Sequence, residues 1–304
     1  TMNPVILAMP GNERVADALA AVLSFDRGAA SVRRFPDGES HVRVESPLEH
    51  RHALIVCTLD RPDDKLVALL LLASAARDSG ARSIGLVAPY LAYMRQDHRF
   101  HPGETISTRH FAEWISRRFD WLVTVDPHLH RIKELSEVYT IPTRVVHAAD
   151  SIARWVGSEV ERPLLVGPDE ESNQWVADVA QRAGVPFTVL EKTRRGDRDV
   201  EVSVPDVARW RSHTPVLVDD IVSTARTMIE TVRHLRQAMT EPPVCVGVHA
   251  IFAGAAFDDL RRAGAGTIVS CDTIAHPSNR IELSAAIADG VRALMPTSFR
   301  EISP

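Results

Sequence analysis

The sequence predicts an α/β fold of two halves, each a mainly parallel sheet flanked by helices. Three observations carry this reading. Short, continuous Val/Ile/Leu runs recur along the chain, amphipathic segments of helical length separate them, and 304 residues suffice for two domains of roughly 150 residues. Continuous apolar strands alternating with helices imply sheets buried on both faces, which is the mark of parallel pairing.

Taken in order, Val5–Pro10 reads as a strand and Asn12–Leu23 as the helix after it. Ala53–Leu59 is a second strand, followed by a helix over Asp64–Ser79. Ser83–Pro89 and Trp121–Asp126 are two more strands, with a helix near Ser107–Phe119 between them. The second half repeats the style, with strands at Leu164–Gly167, Phe187–Leu190, Val216–Val218 and Val244–Ile251 and helices at Asn173–Ala183, Ser223–Gln237 and Ala256–Ala263. The boundary falls near Val145–Ile152, dividing the chain into 1–147 and 148–282. The terminal helix, about Leu283–Leu294, is compatible with either half and is assigned, as 283–304, to the first. Thr193–Thr214 reads as one long Arg-rich loop with a short strand-like stretch at Val200–Val204. A loop that long in a compact domain is usually functional or disordered.

Composition excludes several classes. Thirty-five Lys+Arg against 40 Asp+Glu give a formal net charge of −5. A mildly acidic chain without a basic run is not built to coat nucleic acid or an anionic membrane, so a phosphate ligand must be held locally. The longest apolar run, Leu66–Ala76, is too short to span a bilayer, and the N-terminus lacks a secretory pattern. Cys57, Cys245 and Cys271 lack metal-ligand spacing and are odd in number, which points to a reducing cytoplasm rather than a disulfide framework.

The sharpest local signal is Val216-Leu217-Val218-Asp219-Asp220-Ile221-Val222-Ser223-Thr224-Ala225-Arg226-Thr227-Met228. A buried strand ends in two carboxylates, and hydroxyl-rich residues lead into an amphipathic helix. Open α/β sheets bind ligands at the carboxyl ends of their strands. The backbone N–H groups of Ser223, Thr224, Ala225, Arg226 and Thr227 would form a phosphate cradle at the helix start, and two carboxylates suit vicinal sugar hydroxyls. A plain helix cap at Ser223 or Thr224 would explain the same residues.

This segment resembles the phosphoribosyl-pyrophosphate loop of the type I phosphoribosyltransferase fold. The rest of the chain resembles the ribose-phosphate pyrophosphokinase family, as a divergent member. The matches run in order: Phe35-Pro36-Asp37-Gly38-Glu39, Pro89-Tyr90 with Arg95-Gln96-Asp97, Thr124-Val125-Asp126-Pro127-His128, Gly167-Pro168-Asp169, Lys192-Thr193-Arg194-Arg195, Val218-Asp219-Asp220, His249-Ala250-Ile251-Phe252-Ala253-Gly254 and Cys271-Asp272-Thr273-Ile274. Each is weak alone; their joint order and spacing are strong.

The resemblance implies two phosphoribosyltransferase-like domains, an ATP-side domain at 1–147 and a ribose-phosphate-binding domain at 148–282. It also implies diphosphoryl transfer from Mg-ATP to ribose 5-phosphate, giving phosphoribosyl pyrophosphate (PRPP) and AMP. On the same ground Phe35, Asp37, Glu39, Arg95 and Gln96 are expected to hold ATP, with the first three reaching it from a neighbouring chain of a homo-oligomer. His128 and Asp169 are expected near Mg²⁺, with Asp126 as an additional candidate, and Lys192 and Arg194 on a catalytic loop.

Two departures stand out. Ser223-Thr224-Ala225-Arg226-Thr227 replaces the family's Asp-Thr-Gly-Gly-Thr. Without glycine to allow left-handed dihedrals, an ordinary helix start is expected there. Glu170-Glu171-Ser172 follows Asp169, and two added carboxylates would repel phosphate unless metal or Arg compensates. These departures keep three alternatives open: a noncatalytic nucleotide-binding homologue, a PRPP-consuming phosphoribosyltransferase, and a plain α/β binding protein.

Overall fold

Apolar strands with no polar face can be satisfied only inside a covered parallel sheet, and two such sheets form. The computed structural model describes residues 3–167, 173–195, 199–203 and 207–295, with residues 173, 191–195, 199–203 and 207–208 described in backbone only. The chain separates into two compact units, 1–147 with 273–275 and 284–304, and 148–272 with 276–283.

The first unit contains β1 (Val5–Ala8), α1 (Glu13–Leu23), β2 (Asp26–Arg27), β3 (Ala30–Arg34), β4 (Ser40–Val44), β5 (His52–Val56), α2 (Pro62–Asp78), β6 (Ser83–Ala88), α3 (Ser107–Ser116), β7 (Trp121–Val125) and β8 (Thr143–Val146). Its six-stranded sheet has the order β2-β1-β5-β6-β7-β8, with every neighbouring pair parallel. All residues of β5 and β7 are buried, as two-sided coverage requires. On one face Leu7, Ile55, Leu72, Ile84, Phe111 and Leu122 share a single core.

The second unit contains α4 (Ala149–Glu159), β9 (Pro163–Gly167), α5 (Asn173–Ala183), β10 (Phe187–Val189), β11 (Glu191–Arg195), β12 (Asp199–Ser203), α6 (Val207–Trp210), β13 (Thr214–Val222), α7 (Arg226–Ala238), β14 (Val244–Ala250), α8 (Ala256–Arg262), β15 (Thr267–Cys271) and β16 (Asn279–Ile281). The sheet order is β10-β9-β13-β14-β15-β16, again parallel throughout. Leu164, Val166, Val232, Cys245 and Leu260 belong to its core. The last helix, α9 (Ser284–Leu294), returns to the first unit and packs on α1, β7 and β8. There Gly290 clears Val146, whose Cγ2 would lie 2.8 Å from a Cβ, and Arg292 donates to the Val22 carbonyl at 2.9 Å across 270 residues.

The strongly apolar elements lie where the sequence predicts them, with ends shifted by a few residues. Three expectations are corrected. The long loop Thr193–Thr214 is instead largely ordered: β11 and β12 form an antiparallel hairpin in the register Glu191↔Ser203 to Arg195↔Asp199, α6 follows, and Thr214 already begins β13. The predicted strand Val216–Val218 extends through Val222, because the fully buried β14 continues the ladder alongside it. The following helix starts at Arg226 rather than Ser223. Elements the pattern did not reveal are β2, β3, β4, β8, α4, β11, α6, β15 and β16. The β3–β4 hairpin is only half-buried and polar in part, so it lacks the continuous apolar run that marked the others. Among the described residues no helix is long and apolar enough to cross a membrane.

His52 illustrates what burial costs a titrating group. It is 7% exposed at the start of β5, its Nδ1 lies 2.5 Å from Ser83 Oγ, and burial, reinforced by the Arg82 charge, holds its pKa below the ordinary value. A lowered folded pKa means the unfolded chain takes up the proton first. Stability present above the unfolded value of about 6.5 is therefore lost as the pH falls from there through the folded value. His52→Gln is expected to make the acid-side loss of unfolding free energy shallower by up to one proton, measured by urea unfolding between pH 7.5 and 5. Identical acid slopes for both proteins would remove His52 from this behaviour.

Candidate active site

Each sheet is covered on both faces, so its carboxyl edge is where polar side chains can gather without interrupting the core. In the first unit three segments carry the predicted residues. Phe35, Asp37 and Glu39 sit together at the tip of the β3–β4 hairpin, all exposed. Phe35 N–H donates to the Glu39 carbonyl at 2.8 Å and Gly38 N–H to the Phe35 carbonyl at 2.9 Å. Gly38 has φ +95°, which a side chain would resist, so Pro36-Asp37-Gly38 forms a tight turn. Glu39 N–H donates to Asp37 Oδ1 at 3.2 Å. The Arg33 guanidinium lies 4.9 Å from the centre of the Phe35 ring, and the His41 ring meets Phe35 edge-on at 5.6 Å. The tip thus combines an exposed aromatic face with two carboxylates.

Arg95 and Gln96 lie on the segment after β6, and Asp126 and His128 on the segment after β7. These strands are parallel neighbours, so the two loops emerge at the same sheet edge. Arg95 and Gln96 are exposed, with their backbone held by Gln96 N–H to the Tyr93 carbonyl at 3.3 Å and Thr108 N–H to the Gln96 carbonyl at 3.4 Å. Tyr93 adopts a positive φ of 62°, and its hydroxyl donates to Asp63. Asp97, the next residue, has a side chain only 4% exposed. It accepts from the Arg131 backbone N–H at 3.1 Å and the Arg131 guanidinium at 3.2 Å, and lies 3.0 Å from His98 Nδ1. Burial raises the Asp97 pKa, but the hydrogen bonds from His98 and Arg131 and the Arg131 charge outweigh it and hold the carboxyl below the usual range. Asp126 turns the chain at φ 30° and pairs with His147 Nδ1 at 2.8 Å.

In the second unit Asp219 and Asp220 lie inside β13, both half-buried. The Ile221 N–H donates to Asp220 Oδ1 at 2.7 Å. Gly247 on β14 permits the close approach of this strand end: a Cβ there would lie 2.6 Å from Val222 Cγ2. The loop Ser223-Thr224-Ala225 is then latched by the segment after β14, through Phe252 N–H to the Val222 carbonyl at 2.8 Å and Ala253 N–H to the Ser223 carbonyl at 3.0 Å. The Phe252 ring packs on His276 at 4.7 Å. Arg226 and Thr227 are the first helical residues, both exposed. Lys192 and Arg194 stand on β11, opposite Val202 and Val200. Asp169, with Glu170, Glu171 and Ser172, lies outside the described residues.

The expected ordinary helix start is also corrected. Ala225 precedes α7 in a left-handed conformation, φ 54° and ψ 15°. The loop keeps the backbone turn that glycine would supply, although its side chain is alanine. Sequence reasoning did not assign Asp97, Arg131, His147 or Phe252 to the candidate site. Asp97 and Arg131 are 34 residues apart, and no local pattern links them.

A mainly parallel sheet with a hydroxyl-rich loop between an acidic strand end and a helix defines the phosphoribosyltransferase class of fold. The family model described as the N-terminal domain of ribose phosphate pyrophosphokinase matches residues 4–118, and that of the phosphoribosyl transferase domain matches residues 134–283. A ribose-phosphate pyrophosphokinase from Methanopyrus kandleri is 32% identical over 292 residues, 95% of this chain and 99% of the relative. One from Saccharolobus solfataricus is 31% identical over 273 residues, 89% of this chain and 93% of the relative. The crystal structure of phosphoribosylpyrophosphate synthetase from Mycobacterium smegmatis shares the fold, with a TM-score of 0.82, 23% identity and coverage of 97% of this chain and 99% of that one. The chain belongs to the ribose-phosphate pyrophosphokinase family, a family of enzymes.

The left-handed Ala225 carries a conformational cost of about 1–2 kcal/mol. Ala225→Gly relieves it at the expense of unfolded-state entropy, so a net gain of about 0.5–1 kcal/mol is expected. Ala225→Val, with a β-branched side chain, is expected to lose more than about 1 kcal/mol. Denaturant unfolding of the two variants checks the sign, and equal stability of Val and Gly would show that the loop is not held left-handed.

Proposed function

We propose that this chain transfers the β,γ-diphosphoryl group of ATP to the 1-hydroxyl of ribose 5-phosphate, giving PRPP and AMP. The observation that carries the reading is the match, over nearly the whole length of both chains, to relatives named for this activity. In the proposed step the 1-hydroxyl oxygen attacks the β-phosphorus, the bond from that phosphorus to the α,β-bridging oxygen breaks, AMP leaves, and the hydroxyl proton is released. Little covalent chemistry is asked of the protein, which must position the groups and neutralise their charge.

The residues suit those tasks. Phe35 would cover the adenine face, while Asp37 and Glu39 accept from its exocyclic amine. Arg95 offers paired donors to phosphate and Gln96 reads base or ribose. In the second half Asp219 and Asp220 would accept from ribose hydroxyls. The backbone of Ser223, Thr224, Ala225, Arg226 and Thr227 would receive the phosphate at the start of α7. The left-handed turn at Ala225 supports this over a noncatalytic reading, because the replacement of glycine has not flattened the loop. Lys192 and Arg194 would aim cations at the charge that develops on the transferred group.

Among the described residues no three His, Cys, Asp and Glu side chains gather into a metal cluster. Mg²⁺ keeps waters and phosphate oxygens and takes few protein ligands, so a small donor set suffices for it. His128 and Asp169, with Asp126 in support, would hold it, and it would supply neutralisation of phosphate charge. A homo-oligomer is part of the reading. It is supported by the exposed Val67 and Leu71 on α2, the helix against which the β3–β4 hairpin packs. The burial of Cys57, Cys245 and Cys271 as thiols supports a reducing, cytoplasmic setting.

Pure protein with Mg-ATP and ribose 5-phosphate is expected to form AMP and PRPP in equal amounts. Oxygen-18 on the sugar 1-hydroxyl is expected in PRPP, and label in AMP or water would reject the mechanism. Lys192→Ala is expected to lower kcat about 10²–10³-fold with ATP binding retained, and Arg194→Ala to act similarly, softened by the adjacent Arg195. Near-native kcat in the double variant would remove this strand from the chemistry.

A further inference from the structure

Asp97 holds a charged side chain almost free of solvent contact, at a place where no core packing calls for one. The carboxylate sits on the segment after β6 and faces Arg131 on the segment after β7, so its partners lie on two loops of the same sheet edge. Oδ2 accepts from the Arg131 backbone N–H at 3.1 Å, and Oδ1 from the Arg131 guanidinium at 3.2 Å with His98 Nδ1 3.0 Å away. Both oxygens are thus engaged. A neutral residue of similar size could not match three donors with two charged acceptors. The group is shielded by these partners: Asp97 is 4% exposed while the Arg131 side chain remains half-exposed.

The placement gives the clamp a consequence. Asp97 directly follows Arg95-Gln96, and Arg131 lies three residues after His128. Each loop also has braces of its own. Arg99 and the Phe100 and His101 N–H groups bond to Glu104, and the Lys133 and Glu134 N–H groups bond to Glu137. We propose that Asp97 is a positioning residue that fixes the nucleotide-side loop of Arg95 and Gln96 against the metal-side loop of His128 by gripping Arg131. This rests on the diphosphoryl-transfer reading for the roles of the two loops, but the grip itself does not. Without it the loops keep their other bonds and lose this shared anchor. An ATP phosphate chain and its metal, held from both loops, would feel the loss; ribose 5-phosphate, held by the β13 loop, would not.

The test uses the full chain with Asp97→Ala, Asp97→Asn and Arg131→Ala. In Asp97→Ala the KM for ATP and the half-saturating Mg²⁺ concentration are expected to rise about ten- to hundredfold, the size of a lost charged hydrogen bond. The KM for ribose 5-phosphate is expected to stay near its original value. Asp97→Asn retains an acceptor for the Arg131 amide and recovers part of the loss. Arg131→Ala keeps its backbone N–H and loses less than Asp97→Ala. Combined with Asp97→Ala it adds nothing further, because both act through one contact. Amide hydrogen exchange over residues 126–134 is expected to quicken in Asp97→Ala and Asp97→Asn, and this readout needs no turnover. A wild-type chain that makes no PRPP would reject the proposed reaction while leaving the exchange result to judge the clamp. Unchanged exchange over 126–134 in the folded Asn variant, or equal rises in all three substrate and metal constants, would overturn the proposal.

Discussion

A sheet buried on both faces leaves its polar chemistry nowhere to go but the strand ends. Every residue of β5, β7 and β14 is buried, and a carboxylate in the middle of such a strand would pay for desolvation without a partner. The consequence appears in each unit. At the end of β5, Thr58 N–H donates to Asn12 Oδ1 at 2.7 Å, its hydroxyl to the Thr273 carbonyl at 2.6 Å, and its own carbonyl accepts from Lys65 at 2.9 Å. At the end of β7 the chain turns sharply at Asp126. In β13 two half-buried carboxylates lie near the end of the ladder before Val222, and the loop that leads to α7 follows at Ser223. The rigid apolar ladder sets where each loop begins; the loop residues decide what it can bind.

Strand adjacency then turns separate loops into one surface. β6 and β7 are hydrogen-bonded neighbours, which is why Asp97 can reach Arg131. β13 and β14 are neighbours as well, which is why Phe252 and Ala253 can latch the Val222 and Ser223 carbonyls. In both units the loop that carries candidate ligand-binding residues is steadied by the loop of the next strand. Backbone strain is present at the same places. Tyr93, Asp126, Ala225 and Phe252 all have positive φ without being glycine, a conformation that persists only where surrounding contacts hold it.

The candidate site was legible in the sequence to unequal degrees. Asp219-Asp220 and the hydroxyls after them were visible because a buried strand followed by such residues has few other uses. Phe35-Pro36-Asp37-Gly38-Glu39 was visible as a motif, and Gly38 at φ +95° shapes it into a turn. The conformation of Ala225 was not legible. Local preference favours a right-handed helix start for alanine, and only the latch from the β14 loop and the packing of α7 impose the left-handed turn. The hairpin β11–β12 was only half visible: Val200–Val204 read as strand-like, while the charged Lys192, Arg194 and Arg195 gave β11 no apolar alternation.

By itself the sequence determined the α/β class, the parallel pairing and the approximate place of most strands and helices, because these follow from runs of apolar side chains and their spacing. It also determined the chemical inventory: one Lys and a run of Arg in the second half's charged segment, a paired carboxylate, and an aromatic beside two acids. Tertiary structure alone decided which of those residues share an edge. The extension of β13 to Val222 depended on β14 continuing beside it, and the grip of Asp97 on Arg131 on two strands being neighbours. Each is a contact between residues distant along the chain, and no local propensity encodes a partner that only folding brings near.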